Sequence, residues 1–311
     1  SGAIEIKGDG NTNLELNGNN TVLVQNNWSE EHAAIEKADK YGHGTLTIKD
    51  DVNNDGSEKK GTKADTTGTL VAGGYHNAAA IGGGGGDLAN TSKITITGGK
   101  ITASGGDYGA GIGGGSNGDA SNIRIEDNAD VIAFGYGGAA IGSGYQSSGN
   151  SDITITDHAT VTAAGLNSCG IGHGSIARGK ATITISGSAS VNAESFSTQA
   201  AIGSGNHSAT VNIEDNAAVT AVGYGVAIGT GSGYDYNGGS STEITITGGT
   251  VNAVTRDDSK PAIGTVYGNL DLTINSSTGK TTVNTYTTSS DPLSLNIGTG
   301  HYDDSANKYR T

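Results

Sequence analysis

Trp28, Tyr75, Tyr108, Tyr136, Phe196 and Tyr224 each stand four to seven residues ahead of an Ile-Gly pair or its equivalent, and Leu166 fills that place in one intervening segment. Aromatic rings at a regular spacing stack against sugar rings or anchor a protein partner. The same rings folded over a corner would simply plug it, so the pattern leaves ligand binding and corner filling both open. Tyr145, Tyr234, Tyr236 and Tyr267 lie in adjoining Gly-rich stretches and would widen such a surface. A second candidate is the run Asp51, Asn53 and Asp55, alternate oxygen-bearing side chains ahead of Gly56. Calcium takes about six to eight oxygens around a sharp turn, so this run suits calcium, but a solvated acidic loop with no cofactor is the preferred reading. It is not an EF-hand, because Thr62 stands where the bidentate Glu belongs and Lys59-Lys60 intervene.

The remaining reactive residue types form no arrangement with a recognisable chemistry. Asp127, Asp157 and Asp215 share one turn position, with Gly187 between the last two, and Asp repeated at a turn serves the turn itself. The seven His have no metal-ligand spacing, and the run Gly82–Gly86 lacks the strand–Gly–helix context of a phosphate loop. Thr95, Thr154, Thr184, Thr245 and Thr273 form a repeated outward Thr, but Arg124 and Asn212 break the uncharged array that ice binding needs. Cys169 is the only cysteine, so there is no disulfide framework, and it stands where other copies carry Ala79, Ala110, Ala139 and Ala200. The expectation is a non-catalytic protein with no catalytic residues.

Any such site must be positioned by a repeat. Ile94-Thr-Ile96 recurs as Ile123-Arg-Ile125, Ile153-Thr-Ile155, Ile183-Thr-Ile185, Val211-Asn-Ile213, Ile244-Thr-Ile246 and Leu272-Thr-Ile274, at steps of 29, 30, 30, 28, 33 and 28 residues. Each copy continues into a Val-x-Ala triplet, as in Val161-Thr-Ala163, and then an Ile-Gly pair such as Ile171-Gly172. Both triplets alternate apolar and polar, which is the period of a half-buried strand. A Gly98-Gly99 turn reads locally as a hairpin, but other copies have longer turns, and one unit holds too few apolar residues to bury a face alone. Stacking unit on unit satisfies both constraints. The chain is therefore expected to be an all-β, right-handed parallel β-helix (a β-solenoid) with three strands per coil and coils of about 30 residues.

One solenoid is expected to occupy 1–311: irregular coils over 1–67 with an inserted loop at 50–67, regular coils over 68–297, and a polar tail over 298–311. Leu14-Glu-Leu16, Val22-Leu-Val24 and Ala34-Ile35 are expected to fill the three strands of an early coil, and Leu46-Thr-Ile48 and Leu70-Val-Ala72 two strands of the next. The net charge of −14, with only four Arg, disfavours nucleic acid as a partner. No apolar run approaches membrane-spanning length, and the absence of Met makes the chain read as part of a longer exported protein.

Ala79-Ala-Ile-Gly-Gly-Gly84 and the repeated Ile-Thr-Ile-Thr-Gly-Gly-x-Val/Ile-Thr-Ala resemble the repeats of large cell-surface proteins of gut-type Gram-positive anaerobes. The opening, with Leu14-Glu-Leu-Asn-Gly18, Ala33-Ala-Ile35, Gly44-Thr-Leu-Thr-Ile-Lys-Asp50 and Gly68-Thr-Leu70, is similar to right-handed β-helix carbohydrate-binding modules of Clostridia. The resemblance implies an extracellular, cell-surface binding or adhesion module. It implies a host glycoprotein or polysaccharide as partner, with relatives that bind plant polysaccharide with calcium and others that bind immunoglobulin as superantigens. The alternatives are a polysaccharide-cleaving enzyme and a passive stalk.

Overall fold

The computed structural model describes residues 2–24, 31–51, 67–205, 207–231, 240–257, 259–287 and 296–299, and the backbone of 301–303 and 308–310. The chain winds into a right-handed parallel solenoid of about nine turns with three sheets. One nine-stranded sheet carries the Ile-x-Ile triplets and runs from Thr12–Glu15 to Asn269–Ile274. A second, also nine-stranded, carries the Val-x-Ala triplets from Asn19–Leu23 to Thr281–Thr287. The third has ten short strands at the Ile-Gly pairs, from Ile4–Glu5 to Ile297–Thr299.

Equivalent residues stack coil on coil. Ile94, Ile123, Ile153, Ile183 and Val211 are successive partners in one sheet, and Ile101, Val131, Val161, Val191 and Val219 in another. Ile112, Ile141, Ile171 and Ile202 do the same in the third. All of these side chains are buried, and they form one continuous apolar column enclosed by the three sheets. Alternation sends every second residue of the two longer strands outward, so that face stays polar without any cost to the column.

In the regular coils the Ile-Gly corner has room for nothing larger than glycine, whereas Glu5 and Glu36 hold this position in the first coils. Gly172 has φ +129°, and a Cβ there would lie 1.9 Å from the Gly203 carbonyl oxygen of the next coil. Gly113, Gly142, Gly203 and Gly229 repeat this geometry.

The first coils differ from expectation in register. Leu14 is level with Ile48 rather than Leu46, and Val22 with Ala72 rather than Leu70. A slip of two residues keeps the same side chains inward, so the alternating pattern alone cannot detect it. Ile4–Glu5 also pairs with Ile35–Glu36, which puts one more strand ahead of the first predicted Ile slot. At the base of the insertion the buried Asp50 carboxylate accepts a hydrogen bond from Gly68 N (2.7 Å), so the loop leaves and rejoins the coil at one point. At the far end Ile297–Thr299 continues the stack onto Ile263–Thr265, and His301–Asp303 pairs antiparallel with Lys308–Arg310.

Candidate binding site at the aromatic corner

The aromatic residues lie where the Val-x-Ala strands turn toward the Ile-Gly strands. Backbone hydrogen bonds fix their levels: Leu166 N to Gly135 O, Phe196 N to Gly165 O, Tyr224 N to Ser195 O and Arg256 N to Gly223 O. Tyr136, Leu166, Phe196, Tyr224 and Arg256 thus form one column, one residue per coil. Tyr75 belongs to it two coils earlier, with Gly106 between, since a Cβ on Gly106 would press on the Tyr75 and His76 backbone.

Tyr108 departs from the expected column. The Gly137 N–H donates to Asp107 O, and a Cβ on Gly137 would meet the Tyr108 ring at 3.3 Å, so Tyr108 is level with Gly137, one step further round. Its ring lies edge-on to His76 (5.5 Å between centroids) and tilted against Tyr145 (4.9 Å). The spacing in sequence could not separate the two positions, because the turn holding Asp107 is one residue longer than that of the next coil. Trp28, Tyr234 and Tyr236 lie outside the described residues. Tyr267 does not widen the patch; it packs against the buried group of Cys169, Ala200, Val226 and Val266.

The column divides into two halves. In the C-terminal half the Arg256 guanidinium lies 5.3 Å from the Tyr224 ring and 5.9 Å from the Phe196 ring, while Nη1 pairs with Glu194 Oε1 at 2.7 Å. Both rings therefore already hold a cation of their own chain. Exposure is similar along the column, with Tyr224 46% and Phe196 44% exposed, and in the N-terminal half Tyr136 49% and Tyr108 37%. There Tyr108, Tyr136 and Tyr145 wall a cleft of about 240 Å³. Gly137 leaves the space between the rings open, and Asn167, Ser175 and Ile176 come from the next coil. Ser197, Thr198 and Gln199 close the far side.

The cleft is stitched by main-chain bonds across coils: Tyr145 N to Tyr108 O, Asn167 N to Tyr136 O, Ser175 N to Gly137 O and Gln146 N to Ser175 O. Its walls are preorganised, which lowers the ordering cost of binding. Gln199 is only 1% exposed, and its Nε2 donates a long bond to Ser175 Oγ (3.5 Å). The Gln199 carbonyl oxygen has no hydrogen-bond partner among the described residues. Ile176 has φ +60°, a left-handed conformation that is uncommon for a β-branched residue, at a turn position where preceding coils carry Asn117 and Gln146. None of the polar lining residues, nor Ile176, stood out in the sequence. Each is an ordinary loop residue, and only winding brings four coils to one cleft.

The other candidates resolve individually. Asn53 and Asp55 lie outside the described residues. Asp51 is salt-bridged to Lys49 (2.8 Å), and that hydrogen-bonded partner holds its carboxyl below the usual range. Asp127, Asp157 and Asp215 all have positive φ, and the Asp215 carboxylate accepts from Gly187 N of the preceding coil (3.0 Å), which is turn chemistry. Burial pushes the Cys169 thiol up to about 12. His173 Nδ1 and Ser204 Oγ are 3.2 Å apart, but both side chains are fully buried and present nothing to a substrate.

Residues 94–116, 183–206 and 244–265 match the beta helix repeat family, and each stretch runs from an Ile-x-Ile strand through a Val-x-Ala strand to an Ile-Gly strand. The chain is a repeat-containing parallel β-helix protein. No curated protein and no solved structure matches it. The three matched stretches each contain one set of three strands, so the likeness concerns the coil itself and carries no ligand with it.

Proposed function

We propose that this β-helix is a non-catalytic binding module that holds a glycan, free or on a host glycoprotein, at its aromatic corner. The observation that carries the reading is the preorganised cleft flanked by the exposed Tyr108 and Tyr136 rings. Exposed aromatic rings around a concave polar floor suit a ligand with both apolar faces and hydroxyls. Display outside the cell, on the surface of a Gram-positive anaerobe, rests on the likeness of the repeats to surface proteins of that group. Immunoglobulin is the competing partner within the same reading, since rigid Tyr anchors also serve protein interfaces. Calcium is not required by the corner, and a calcium role would rest on Asp51, Asn53 and Asp55 alone.

The test is retention of glycoproteins, immunoglobulin included, on the immobilised protein before and after enzymatic deglycosylation. Retention should vanish with the glycan and fall about tenfold or more in affinity for the Tyr108→Ala, Tyr136→Ala double variant. Retention that survives deglycosylation favours the immunoglobulin-type protein contact. Shortening of a polysaccharide during incubation would replace binding by catalysis.

A further inference from the structure

We infer that the cleft between Tyr108, Tyr136 and Gln199 is a subsite for one uncharged sugar ring of a chain lying along the solenoid axis, bound without a metal. The inference rests on the reading of the corner as a glycan site and names the class of sugar. Size comes first. A space of about 240 Å³ is smaller than sites for drug-sized ligands, which begin near ~300 Å³, and is on the scale of a single ring. Direction follows from the lining, which is drawn from successive coils. The coil step of ~4.8 Å is close to the length of one sugar unit, so an extended chain keeps pace with the rod.

Charge then selects among sugars. Among the described residues the cleft is lined by Tyr, Asn, Ser, Thr, Gln, Gly and Ile, with no Lys, Arg, Asp or Glu. A uronate or sialate carboxylate would lose its hydration there with no cation to receive it, on a chain whose net charge is −14. The nearest described carboxylate in sequence, Asp107, faces His76 Nδ1 at 3.2 Å and would repel an anion further. A neutral sugar meets no such penalty. Its hydroxyls match the amide of Asn167 and the hydroxyls of Ser197 and Thr198 that line the cleft. Ile176 gives the cleft an apolar wall in a backbone conformation that would otherwise favour Asn or Gly. Strain retained at a cleft wall is consistent with a binding role for that side chain.

The experiment is affinity electrophoresis of the protein in gels containing a neutral β-glucan, mannan or galactan, or an anionic polygalacturonate, alongside capture of a sialylated glycoprotein. At least one neutral polysaccharide should retard the protein, with or without a chelator and at raised salt. Its apparent affinity should fall about tenfold in Tyr136→Ala and in Asn167→Leu, and remain unchanged in Tyr224→Ala, whose ring lies outside the cleft. Ile176→Asn should bind less well while melting at a higher temperature than the parent. Retardation by polygalacturonate only, or capture of the sialylated glycoprotein only, overturns the neutral-sugar inference while leaving the corner as a glycan site. Neutral polysaccharide bound equally well by Tyr136→Ala and Asn167→Leu overturns the cleft. No retention of any probe overturns both readings.

Discussion

At the scale of single residues, burial shifts the titration of interior groups in both directions. His173 is level with Ser143 and Ser204 in a buried column beside the Ile-Gly strands. Burial, reinforced by the nearby His207, pushes its imidazole down from 6.5 to about 4. The unfolded chain therefore takes up this proton at a higher pH than the folded one. Stability from the neutral ring is intact above pH 6.5, is lost progressively toward pH 4, and amounts to about 3 kcal/mol over that window. Glu36 acts with the opposite sign, because burial raises its carboxyl and acid relieves the cost of its charge. His173→Ser, which copies the neighbouring coils, should lose less stability than the parent between pH 7 and pH 4.5 in urea titrations. Equal losses would show that His173 is not the acid-sensitive group.

At the scale of the element, the coil is defined by its glycine corner as much as by its apolar strands. A side chain at Gly172 meets the Gly203 carbonyl and also needs a left-handed backbone. Neither neighbour can yield, since the same contact recurs at Gly142 and Gly203. Gly172→Ala should cost roughly 3 kcal/mol or more and lower the melting temperature seen by circular dichroism. Gly10→Ala, where a Cβ meets nothing within 4 Å, should leave it unchanged. Equal melting temperatures for the two variants would show that the corner contact is not what requires glycine at position 172.

At the scale of the whole molecule, the solenoid has no central core, and its stability is close to a sum of coils and their interfaces. Thr160 is level with Ser190, so removing residues 160–189 deletes one coil and rejoins Ala159 to Ser190 in register. Ile153 then stacks on Val211 and Val131 on Val191, and the apolar column stays continuous. The shortened protein should keep its β-sheet spectrum and cooperative melting. It should lose polysaccharide binding, because Asn167, Ser175 and Ile176 leave with the deleted coil. A deletion that folds and still binds would remove the cleft from consideration.

Periodicity alone was enough to read the solenoid. An Ile-x-Ile, Val-x-Ala, Ile-Gly cycle of about 30 residues has one arrangement that buries every apolar residue, and that arrangement is stacking. The buried Ala-like role of Cys169 and the turn role of Asp127, Asp157 and Asp215 follow from the same alignment of copies. The position of the aromatic corner followed too, since Tyr136, Phe196 and Tyr224 recur at one place in the cycle. What alternation could not carry was register in the first coils, where a slip of two residues leaves the inward face unchanged. Nor could it tell which aromatics wall a cleft. Asp107, an extra residue relative to the next coil, shifts Tyr108 beside Gly137, and Arg256, from a later coil, lies over Phe196 and Tyr224. Those contacts join residues about a coil apart or more in sequence, so only the wound chain decides that the cleft opens between Tyr108 and Gln199.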